Sequence, residues 1–87
     1  MPLYRVERAV GEQSQAEIEA GIFRAASCSN RFEGLRWLRS FHDAAAKQFT
    51  CYYEARSPAD IRAHAAHAGI PCDEIAEVRE YLPDNYR

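Results

Sequence analysis

Two aromatic-rich arms, Leu35–Phe41 and Phe49–Glu54, flank the short polar segment Asp43-Ala44-Ala45-Ala46-Lys47. No other stretch constrains the fold as much. Tryptophan, phenylalanine, tyrosine and branched residues suit a pleated surface, so LRWLRSFHDAAAKQFTCYYE predicts a β-hairpin. A lone hairpin is marginal in water and needs further strands or helices to cover it.

Those elements can be read on either side. In Leu3–Val10, Tyr4 and Val6 alternate with Arg5 and Glu7, the pattern of a half-buried strand. Ser14-Gln15-Ala16-Glu17 is a capping box and predicts a helix from about Gln15, with Ile18, Ile22, Ala25 and Ala26 as its apolar stripe. Ser57-Pro58 predicts a second helix, which Gly69 and Pro71 end. Ile61, Ala65 and Ala68 form its inward stripe. A last strand is expected over about Glu74–Tyr81. The order is strand, helix, strand, strand, helix, strand. This is the ferredoxin-like βαββαβ pattern of an α+β fold: a four-stranded antiparallel sheet with two helices on one face. Residues 1–87 are read as one such domain.

Both faces of the hairpin carry bulk. We expect the face away from the helices to hold Glu7, Glu54, Glu77 and Arg39 among Trp37, Phe41 and Tyr52. Acids in an aromatic setting are costly unless paired or bound to a cation. Either a structural Arg39–glutamate network or a binding site satisfies that demand. In both cases a second copy should cover the face, giving a homodimer that pairs through its sheets.

Charge and length exclude other classes. Thirteen acids against eleven lysines and arginines leave a formal charge of -2, with no electrostatic reason to hold nucleic acid or an anionic membrane. No apolar run approaches the ~20 residues of a membrane helix, and MPLYRVERAV does not read as a signal peptide. Cys28, Cys51 and Cys72 are an odd number without a C-x-x-C pair, which suits a reducing cytoplasm. Cys51 is expected in the core, and Cys72 in a loop.

The histidines are the second signal. His64 and His67 stand at i and i+3 in HAAHAG, on neighbouring positions of one helix face. Imidazole with carboxylate partners suits nickel and other divalent transition metals. His42, at the end of the second strand, is a third candidate. The competing reading makes His67 a solvated residue and His64 a packed one near Ile61.

YRVER, GLRWLRSF, TCYYEA, H-A-x-x-AGIP and EIAEV follow one another along the chain. Together they resemble a family of small nickel-binding, ferredoxin-like proteins catalogued as a domain of unknown function. The resemblance implies a homodimer whose sheets pack face to face into an α/β barrel and bind a divalent metal. On the matching motifs it points to Glu7, Glu54, His64 and Glu77, with Arg36, Trp37 and Arg39 in the strand motif. The expected function is therefore nickel binding by a cytoplasmic homodimer. The rival is a cofactor-free monooxygenase- or isomerase-like enzyme. It would hold a small molecule between the sheets, lined by Trp37, Phe41 and Tyr52, with Arg39 orienting it.

Overall fold

A computed structural model describes residues 1–87. Strand β1 (Leu3–Ala9) is followed by helix α1 (Gln15–Ser29), strands β2 (Arg36–Asp43) and β3 (Gln48–Glu54), helix α2 (Pro58–Ala68) and strand β4 (Glu74–Val78). A short 3-10 turn, Pro83–Tyr86, closes the chain. The strands form one sheet in the order β2-β3-β1-β4, and every neighbouring pair is antiparallel. The ferredoxin-like expectation holds.

The helix boundaries follow from local chemistry. The Ser14 hydroxyl accepts from the Glu17 backbone N–H at 3.2 Å, and the Glu17 carboxylate accepts from Ser14 N–H at 2.9 Å. The Ser14 backbone N–H first, and the Ser14 hydroxyl second, hold the exposed Glu17 carboxyl below its usual range. Ser57 caps α2 through Asp60 N–H, with Pro58 in the first turn. Gly69 closes α2 at φ 69°, a left-handed conformation that a side chain would strain. The hairpin turn is fixed by Asp43, which accepts from Ala46 N–H at 2.9 Å.

The core lies between the sheet and the helices. Tyr4, Val6, Cys51 and Tyr53 come from the strands, and Ala55 and Ile61 complete the cluster. Ile18 of α1 is also buried, as are Ala65 and Ala68 of α2. Phe23, at the margin of the α1 stripe, is 71% exposed.

Two strand details differ from expectation. A β-bulge at Leu38 shifts the β2 register, so Trp37 lies opposite Tyr53 whereas Arg39 lies opposite Tyr52. Cross-strand partners share a face. Trp37 therefore sits on the helix side, while Arg39 and Phe41 sit on the open side. Strand β4 stops at Val78, and Ile75 lies opposite Val6 in the core. Glu77, two residues on and opposite Tyr4, is thereby carried to the helix side, where it is exposed. Glu74 takes the open-face position opposite Glu7.

Stability should track this burial. Ile61 is fully buried, so Ile61→Ala is expected to cost about 2–5 kcal/mol in urea unfolding. Ser57→Ala, which removes a cap, should cost about 1 kcal/mol. Phe23→Ala should stay within about 0.5 kcal/mol.

Candidate metal and ligand sites

The sheet divides the predicted site residues into two sets. Glu7 and Glu54 are on the open face. Glu7 is held by three neighbours: Thr50 and Gln48 donate to its carboxylate at 2.9 and 3.2 Å, and Arg5 Nε lies 3.4 Å away. Arg5 also reaches Glu74, again at 3.4 Å. Glu54 pairs with Arg36 at 3.5 Å. Arg39 pairs with Glu80 at 3.0 Å rather than with any of the expected glutamates. Phe41 and Tyr52 meet edge to face, with ring centroids 6.4 Å apart. Together with Arg39, Leu3, Val78 and Glu80 they line a shallow hollow on this face. Trp37, expected there, does not contribute.

The histidines lie elsewhere. His64 is fully buried beneath the sheet, edge-on to both Phe32 and Tyr53 with centroids 5.8 Å away. Its Nε2 is 2.8 Å from the Ala25 carbonyl, which can only accept. The proton is therefore on Nε2, and Nδ1 is a bare acceptor, buried with no partner. Burial pushes the His64 pKa down. The bond to Ala25 opposes the shift, while the Arg8 and His67 charges add to it. A neutral imidazole that ties α2 to α1 is the result. His67 is exposed on the same helix. His42 lies opposite Phe49 on the helix side of the sheet and stacks on it with centroids 4.6 Å apart.

These residues do not come together. His64 is on the opposite side of the sheet from Glu7 and Glu54. No three histidine, cysteine, aspartate or glutamate side chains of one chain converge to hold a metal ion. The orphaned Nδ1 of His64 has no hydrogen-bond partner and belongs to no group of three such side chains. A metal centre built around His64 within one protomer thus does not fit.

Sequence reading missed Arg8. It is only 3% exposed, on the helix side of β1 with Tyr4 and Val6. Its guanidinium donates to the Pro71 carbonyl at 2.6 Å and to the Tyr53 hydroxyl at 3.3 Å, and lies 5.8 Å from the Tyr53 ring centroid. Burial works against its charge, but Tyr53 and Cys51 outweigh that and the pKa is raised. Burial likewise raises the Tyr53 pKa, so the phenol stays protonated. The signal was present as parity: Arg8 continues the alternation of Tyr4 and Val6.

Comparison with known proteins adds the family. The model of the nickel responsive protein SCO4226-like family matches residues 4–78. The chain belongs to this family. The crystal structure of SCO4226 from Streptomyces coelicolor A3(2) superposes with a TM-score of 0.80 at 17% identity. The match covers 92% of this chain and 99% of that one, and shows a shared fold. No curated protein matches the sequence. No helix is long and apolar enough to cross a membrane.

The buried imidazole of this family member has a pH signature. Its native pKa lies below the unfolded value of ~6.5, so the unfolded chain binds more protons as pH falls through that value. The contribution of neutral His64 to stability is complete above about pH 7. It is lost progressively below about pH 6.5. Urea midpoints measured between these limits and about pH 5.5 should fall with pH, and His64→Leu should flatten that slope.

Proposed function

We propose that this protein responds to nickel by binding it at carboxylates of the open sheet face, with a second copy of the chain closing that face. The family match over residues 4–78 carries the reading. Glu7, Glu54 and Glu74 supply accessible oxygen donors on one face, and a two-fold axis through the sheet would double them. Oxygen ligands with water fit an octahedral divalent ion. Thr50 and Gln48 already fix the Glu7 carboxylate, as supporting hydrogen bonds do for ligating groups. Arg5 would have to give way. Its two ion pairs, at 3.4 Å and partly exposed, are of the kind worth only about 0–1 kcal/mol. The exposed Phe41 and the half-buried Tyr52 and Val78 give a second copy apolar surface to cover.

On this reading His64 is structural, and His67 and His42 are surface donors away from the site. Calorimetric titration of nickel into chelator-treated protein without a histidine tag should give a saturable heat. Glu7→Gln should weaken binding by about tenfold or more, and His67→Ala should leave it unchanged. Sedimentation should show two protomers. Absence of a binding heat, or a monomer whose affinity survives Glu7→Gln, would overturn the proposal.

A further inference from the structure

On the other side of the sheet, a cavity of about 110 Å³ opens between α1 and the strands. Ile18, Ile22 and Ala26 of α1 form one wall, and Trp37, Phe49 and Tyr53 of the sheet form the other. Its size is below the ~150 Å³ of a closed cavity that admits benzene, but it is open to solvent on one side, so a ring can enter without being wholly enclosed. Arg8 also lines it. This guanidinium is a buried charge with no carboxylate beside it: its contacts are a carbonyl, a hydroxyl, the Cys51 thiol and a ring face, and it takes part in none of the ion pairs. Burying a cation without a counter-charge is costly. Glu17 is the single acid lining the cavity, and its carboxylate is committed to the α1 cap. Arg24, a second lining cation, bonds only to the Ala68 carbonyl. The cavity thus has largely apolar walls, excess positive charge and no uncommitted anion of its own.

We propose that this cavity binds a small monocarboxylate with a flat apolar body, its carboxylate on Arg8 and its ring between α1 and the Trp37–Phe49 wall. A guanidinium recognises a carboxylate through paired N–H donors, and a charge-assisted bond of this kind is stronger than a neutral one. The apolar walls select against acetate and other anions that lack a hydrophobic body. The site is independent of nickel and lies on the opposite face of the sheet from the carboxylates considered above.

Trp37, the sole tryptophan, reports on the cavity directly. Phenylacetate should change its emission saturably in the intact protein, with a chelator present so that metal plays no part. Phenylacetamide, the neutral isostere, should bind at least about tenfold more weakly, and acetate should give no saturable change. Arg8→Met should bring the acid and the amide to similar affinities. Ala26→Leu, which fills the cavity and leaves Arg8 in place, should abolish binding while circular dichroism stays native. That variant and the acid–amide comparison decide the matter if Arg8→Met does not fold. Equal binding of acid and amide, a preference that persists in Arg8→Met, binding that persists in Ala26→Leu, or no saturation in the native protein would overturn the proposal.

Discussion

The Tyr53 side chain is the point on which the helix side of the sheet depends. It is 3% exposed, in the strand that hydrogen-bonds to both β1 and β2. Its ring meets His64 edge-on, which presents α2 to the sheet. The same ring lies near the Arg8 guanidinium, and its hydroxyl accepts from Arg8. One aromatic residue thus packs a neutral imidazole and a charged guanidinium in the same interior. The imidazole gives up its charge and the guanidinium keeps it, because arginine does not deprotonate in a protein whereas histidine does so readily. The helix bundle and the buried cation are consequently coupled: a change that moves Tyr53 would disturb the α2 contact and the Arg8 contact together.

The separation of imidazoles from carboxylates follows from that packing. A pair of histidines on a helix and glutamates on strands read as one ligand set only if the helix lies over the face that carries the glutamates. Here α2 covers the face carrying Val6, Cys51 and Tyr53, and the alternation of β1 sends Glu7 the other way. No side-chain rearrangement carries His64 through a hydrogen-bonded sheet. This geometry keeps the His64 imidazole and the Glu7 and Glu54 carboxylates from serving one ion within a protomer.

Much of the architecture was legible in the chain because it is written in local chemistry. Ser14–Glu17, Ser57-Pro58 and Gly69 set the helix ends through bonds that span four residues or fewer, or through a single backbone angle. The tyrosine–valine alternation of β1 needed no partner to be read. What escaped was register. Trp37 was misplaced because the extra residue Leu38 inverts the alternation in mid-strand, and nothing in RWLRS marks a bulge. Glu77 was misplaced because Ile75 and Val78 have opposite parity, so the face depends on which of them β1 holds against Val6. The burial of His64 was legible only as one of two readings, since a packed and a ligating imidazole share the same spacing. Arg8 was passed over because charged residues on strands usually face water, although its parity with Tyr4 and Val6 pointed inward.

Arg8 also shows how the two faces differ in energetic logic. On the open face the three strand arginines each have an acid: Arg5 with Glu7 and Glu74, Arg36 with Glu54, Arg39 with Glu80. These pairs are partly exposed, screened by salt and individually weak, so they can rearrange when a cation or a second chain arrives. On the helix side the charge is enclosed and its partners are neutral and fixed, so compensation cannot come from rearrangement. A buried cation there is either a standing cost of the fold or half of an interaction with an anion. The adjoining half-open cavity, lined by no uncommitted acid, favours the second, because a structural arginine would be satisfied as well by a filled core. Glu7 and Arg8, neighbours in the chain, thereby face two different settings: the first lies among adaptable ion pairs on an open surface, and the second is a buried cation beside a cavity with no uncommitted acid.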